Sequence, residues 1–205
     1  MESSTDHERH GIQAVEELSR AIHGIVTLAR ERISADEDTS TRLLVDVAKQ
    51  SVAESVTCLL FLRSELIRAD GRAESLSIQM NYQSNRHREW KRIQSSPAAK
   101  DEQILKKTRE KVEEHGAAIA AIKEPLALAC AEAELLQAVD RAVSNEIVAL
   151  ERLASQMTKE AVEPVDSQAR VDAWREALLQ RLIETHGAVE QFVSAAYNGQ
   201  LHSQK

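Results

Sequence analysis

The amino-acid sequence predicts an all-α protein: an elongated antiparallel four-helix bundle with a projecting coiled-coil hairpin. Three observations carry this expectation. The first is a heptad frame from Leu105 to Ala161. Leu105, Val112, Ile119, Leu126, Ala133, Asp140, Ile147 and Ala154 recur every seven residues, interleaved with Thr108, His115, Ile122, Ala129, Leu136, Val143, Leu150 and Met157. A period of 3.5 keeps one seam turned toward a partner helix. The second is a similar frame through Val45, Ala48, Val52, Ser55, Leu59, Leu62, Leu66, Ala69, Ala73, Leu76 and Met80. The third is composition. Six glycines and three prolines in 205 residues leave few turns, and with aromatics at 3% the core must be built from Leu, Ile, Val and Ala.

In chain order, residues 1–7 are polar and expected to be disordered. A first helix follows from Glu8 to Ile33, with Ile12, Val15, Ser19, Ile22, Val26, Ala29 and Ile33 on its seam and Leu18, Ile25 and Leu28 beside it. So wide a stripe needs more than one partner, as in a bundle. The polar segment 34–41 ends in N-cap candidates. The second helix starts near Thr41 and passes through Asp70-Gly71, because an interior Gly costs only about 1 kcal/mol relative to Ala. Beyond Met80 its seam turns polar, through Gln83, His87 and Trp90.

Ser96-Pro97 reads as the start of the third helix, with Ser at N-cap and Pro at the first helical position. Pro125 inside that helix removes a backbone hydrogen bond and is expected to kink it. Pro164 ends it. A fourth helix is expected from Asp166 or Ser167 to Tyr197, closed by Asn198-Gly199, with 199–205 flexible. Its stripe is Val171, Trp174, Leu178, Leu182, Val189, Phe192 and Ala196.

Gly71 and Pro125 fall at similar heights on either side of the turn, so they are the expected hinges. Residues 8–70 and 126–198 then make the bundle, and 71–125 a hairpin reaching roughly 35–40 Å. The rival arrangement is two tandem three-helix bundles, with true breaks at Gly71 and Pro125. An internal offset that aligns His23-Gly24 with His115-Gly116, and Leu43-Leu44 with Leu135-Leu136, favours it.

Several chemistries are disfavoured. The net charge of −7 argues against a general nucleic-acid binder. The polar N-terminus does not resemble a signal peptide, and the longest apolar run, Val56–Leu62, is far short of the roughly 20 residues of a membrane span. A cytoplasmic protein is the expectation. Cys58 and Cys130 read as free thiols. No histidine has a glutamate three residues before it, and His7-Glu8-Arg9-His10 has the wrong spacing for a zinc-protease helix. No glycine-rich phosphate loop or Ser-His-Asp spacing is present, so neither an enzyme nor a cofactor is expected.

Two features remain. His23, His115 and His186 each precede a glycine within a helix, which suggests close approach by another helix. A haem or metal site shared by facing histidines is the alternative. The second feature is the hairpin tip. Between Arg86 and Lys111 nine basic residues oppose four acidic ones, a local net of +5 that leaves −12 elsewhere. Arg86, Arg88, Trp90, Lys91, Arg92, Lys106, Lys107, Arg109 and Lys111 are the expected partner-binding residues, with Tyr82 nearby.

The function expected is a non-enzymatic scaffold or adaptor that holds acidic or helical proteins through this tip and its seams. A BAR-like module on an anionic membrane surface and a ligand-, haem- or metal-sensing bundle are the alternatives. Leu128, Leu135, Val139 and Val148 lie outside the main seam, and any surplus left uncovered implies self-association.

Overall fold

The computed structural model describes residues 4–35, 40–96, 101–160 and 168–202, with side chains between Gly11 and Tyr197 in those ranges. The fold is an all-α helical bundle. Its elements are α1 (Ser4–Ala35), α2 (Thr41–Gln94), α3 (Glu102–Glu160) and α4 (Gln168–His202). Among the described residues only Ser40, Ser95, Ser96 and Asp101 lie outside helices.

Helix ends depart from expectation where several caps compete. α1 begins at Ser4, inside the stretch expected to be disordered. Ser40 caps α2, its hydroxyl accepting from the Leu43 N–H at 3.3 Å. At the next turn the roles reverse. Ser96 closes α2 rather than opening α3, its hydroxyl donating to the Ile93 carbonyl at 2.8 Å. Asp101 opens α3, its carboxylate accepting from the Gln103 and Ile104 N–H groups at 2.8 and 3.3 Å. A carboxylate satisfies the orphan donors and also meets the positive end of the helix dipole. α4 runs through Asn198-Gly199 to His202, and among the described residues no glycine adopts a positive φ. Pro97, Pro164, Asp166 and Ser167 lie outside the described residues.

Both long helices are continuous at the positions where tandem bundles need breaks. α2 passes through Gly71 and α3 through Pro125. Pro125 has no N–H to offer the Ala121 carbonyl, but Ala121 is exposed, so water can serve that acceptor. The tandem three-helix arrangement needs breaks the chain does not make.

The chain divides into two compact units. One holds Arg9–Leu66 and Leu135 onward; the other holds Ile67–Glu134 and the chain's start through Glu8. The division thus falls outside Gly71 and Pro125, not at them.

The larger unit is a four-helix bundle. Ile25, Val26 and Ile33 of α1, Leu44 and Val47 of α2, Leu150 and Met157 of α3, and Leu178 and Leu182 of α4 share one core. Each fully buried aliphatic side chain contributes about 1.5–3 kcal/mol. The polar seam residue Asp140 is paired, accepting from Arg63 Nε at 2.6 Å, and the same guanidinium reaches Ser144 at 3.1 Å. Val139, off the main seam, is fully buried, whereas Val148 stays exposed.

Apart from the first residues of α1, the smaller unit is an antiparallel pair of α2 and α3, registered by Arg72–Glu132, Gln83–His115 and His87–Val112. Its buried residues are Ala69, Thr108, Ala129, Glu132 and Ala133. Among the described residues, no apolar side chain larger than Ala is buried in it. Leu76, Met80, Leu105, Val112, Ile119 and Ile122 are only half-buried. Two helices alone cannot enclose a seam on all sides, and this unit shows the consequence.

Candidate interaction surface

The basic surface is built from the last two turns of α2 and the first turns of α3, both within the smaller unit. α2 supplies Arg86, Arg88, Trp90, Lys91 and Arg92; α3 supplies Lys106, Lys107, Arg109 and Lys111. Lys100 lies outside the described residues. Part of this charge has a structural use, since Lys91 and Arg92 occupy the last turn of α2, where cations complement the negative end of the helix dipole.

Two of the cations are paired locally. Arg86 meets Glu89 at 2.8 Å and Lys111 meets Glu114 at 2.5 Å, each one turn along its own helix. The hydrogen bond and charge of Lys111 hold the Glu114 carboxyl below its ordinary range. The other six, Arg88, Lys91, Arg92, Lys106, Lys107 and Arg109, are exposed, and none meets a carboxylate among the described residues. Trp90 is half-buried, with its indole N–H buried and unpaired, so only part of its ring is available to a partner. Tyr82 is the more exposed aromatic, at 57%.

The expected hinges are neighbours in the same unit. Gly71 and Pro125 line an open cavity of about 570 Å³ with Arg68, Arg72, Ser75, Leu76 and Ala129. Arg72 is committed to Glu132, whose carboxylate lies 2.6 Å away, although its Nε is buried without an acceptor.

The histidine–glycine pairs do not mark close helix approaches. A Cβ added at Gly24, Gly71 or Gly187 would meet nothing within 4 Å, and at Gly116 only the His87 ring, at 3.5 Å. The fold brings two of the three histidines together: His23 and His186 have ring centroids 5.1 Å apart, in the larger unit. His115 belongs to the smaller unit, where its Nδ1 lies 2.6 Å from Gln83 Oε1. Among the described residues no group of three His, Cys, Asp or Glu side chains could hold a metal ion.

Ser19 and Glu190 complete the His186 cluster, a grouping the sequence reading missed. The Ser19 hydroxyl donates to Glu190, while His186 Nε2 lies 3.4 Å from Ser19 Oγ and 3.6 Å from Glu190 Oε1. A nucleophilic relay needs serine on one ring nitrogen and the carboxylate on the other. Here both sit on Nε2, and the serine proton already belongs to Glu190, so the cluster ties α1 to α4. The available signal was the i, i+4 spacing of His186 and Glu190, with Ser19 as a polar residue on the first helix's seam.

Cys58 is half-buried, and burial, reinforced by Glu54, pushes its thiol above the ordinary range; Cys130 is exposed. Among the described residues no helix is long and apolar enough to cross a membrane. Comparison with family models, curated proteins and solved structures finds no match.

Proposed function

We propose that this chain is a cytoplasmic, non-catalytic scaffold or adaptor whose hairpin captures an acidic partner protein at its basic tip. The observation that carries this reading is the set of six exposed cations with no carboxylate partner among the described residues. Three cations elsewhere are committed in pairs across helices, Arg63–Asp140, Arg72–Glu132 and Arg181–Glu146. Other exposed cations, such as Lys49, Arg141 and Arg152, are also unpaired among the described residues, and what sets the tip apart is that six lie together on one narrow surface. Concentrating unpaired charge of one sign on a narrow surface steers an oppositely charged partner and sets its orientation. The scaffold seams are the coiled-coil positions of α2 and α3.

The test is affinity capture from native cells with the full chain, beside the same chain carrying Lys91→Glu, Lys106→Glu, Lys107→Glu and Arg109→Glu. A partner held by the wild type, lost from the variant and rebound as a purified protein in a salt-sensitive manner supports the reading. Identical partner sets from the two chains overturn it. Binding only to anionic vesicles or to a DNA duplex, with no protein partner, also overturns it, in favour of a membrane or nucleic-acid surface.

A further inference from the structure

The outer face of α2 in the smaller unit carries an apolar and charged pattern that α3 does not cover and that the tip reading uses only at Arg88 and Arg92. From this stretch Arg72, Gln83 and His87 reach α3. Ile67, Ile78 and Tyr82 lie on the opposite side of the helix and are 71%, 62% and 57% exposed. The steps from Ile67 to Ile78 to Tyr82 each return close to the same angle on a 3.6-residue helix, so the three form one stripe.

Charges flank the stripe in a particular order. Asp70 and Glu74 stand toward its beginning, and Arg88 and Arg92 toward its end. Asp70 to Arg88 is about five whole helical turns, and so is Glu74 to Arg92, which places all four on one edge of the face. All are exposed, and none meets an oppositely charged side chain among the described residues. Each set is a like-charge i, i+4 pair, an arrangement that destabilises the helix bearing it. An acidic pair and a basic pair on one face, equally far from a midpoint, are self-complementary under a two-fold rotation.

We propose that this face docks a second copy of the chain, with two α2 helices antiparallel about a two-fold axis at Asn81. Asn81 is midway between Asp70 and Arg92, and also midway between Glu74 and Arg88. The rotation sets Asp70 against the partner's Arg92 and Glu74 against the partner's Arg88, with the reciprocal pairs completing an isologous contact. Ile78 and Tyr82 of both copies gather around the axis and leave water. A parallel pairing sets like charge on like. The smaller unit, with no apolar side chain larger than Ala buried among the described residues, gains its missing apolar burial from such a partner. The contact is one helix wide, so the dimer is reversible and salt-sensitive. The inference shares Arg88 and Arg92 with the acidic-partner reading, but Lys91, Lys106, Lys107 and Arg109 are not used in it, so the charge-reversed chain of that test keeps this face intact.

Sedimentation velocity of the full chain, from roughly 1 to 100 μM at low salt, tests it. The expected result is a concentration-dependent monomer–dimer equilibrium that Ile78→Glu with Tyr82→Glu abolishes while far-ultraviolet circular dichroism stays unchanged. Asp70→Arg with Glu74→Arg makes the face wholly basic, and Arg88→Glu with Arg92→Glu makes it wholly acidic. Each charge variant alone is expected to be monomeric, and an equimolar mixture to form the heterodimer. A wild type that is monomeric throughout overturns the proposal. So does a dimer that survives the Ile78/Tyr82 change, or a mixture that associates no better than its components. None of these results depends on capture of another protein, so the two readings fail separately.

Discussion

The ion pair of Arg72 and Glu132 joins a guanidinium whose side chain is 35% exposed to a carboxylate that is only 4% exposed. The two ends respond unequally to loss of the other. Arg72→Ala strands a charge almost out of water and is expected to cost about 2–4 kcal/mol, whereas Glu132→Ala leaves a cation that water still reaches and costs about half as much. The double variant should cost less than the two changes together, since the second truncation removes the group the first one strands. Urea denaturation of the three variants measures this. Cys58 gives a second expectation. Its raised thiol pKa leaves less thiolate at neutral pH, so DTNB is expected to label the exposed Cys130 first. The Cys58 rate should go on climbing with pH past the range where an ordinary thiol has levelled off. Equal labelling rates at all pH values would remove burial as the controlling factor.

At the scale of the helices, legibility followed the size of the energies. The seams of α2 and α3 were readable because each buried position sums many contacts in the same period. Leu136, Val143, Leu150 and Met157 are all fully buried where the heptad frame put them. Helix ends were less readable because capping groups of similar strength compete over a few residues, and Asp101 prevailed over Ser96. The histidine–glycine pairs misled for a related reason. A helical Gly costs about 1 kcal/mol, which the seam of a long helix can absorb with no packing benefit in return. That cost should be recoverable: Gly71→Ala, with nothing within 4 Å of the new Cβ, is expected to stabilise α2 by up to about 1 kcal/mol in denaturant unfolding. The tip's basic residues were legible as composition, but which two are paired locally depends on side-chain placement that a charge count does not carry.

For the whole molecule, unequal burial predicts unequal stability. The larger unit holds all the large, fully buried aliphatic side chains of the described residues, and the smaller unit holds none. Local stability follows buried apolar contact density. Each unit contains one tryptophan, Trp90 in the smaller and Trp174 against the core of the larger. Single-tryptophan chains, Trp174→Phe and Trp90→Phe, therefore report the units separately. The Trp90 signal is expected to change at lower urea than the Trp174 signal, and coincident midpoints would mean that the chain unfolds as one cooperative body.

The absence, among the described residues, of large buried apolar side chains between Ile67 and Glu134 also separates length from foldability. The bundle's core positions all fall outside this segment, while α2 and α3 repeat their pairing every seven residues within it. One heptad added to each arm, or one removed from each, keeps every seam residue on its face and leaves the core composition untouched. The hairpin's length is thus adjustable in steps of seven residues per arm. Related chains can be expected to differ there by matched multiples of seven, while the bundle stays constant in size.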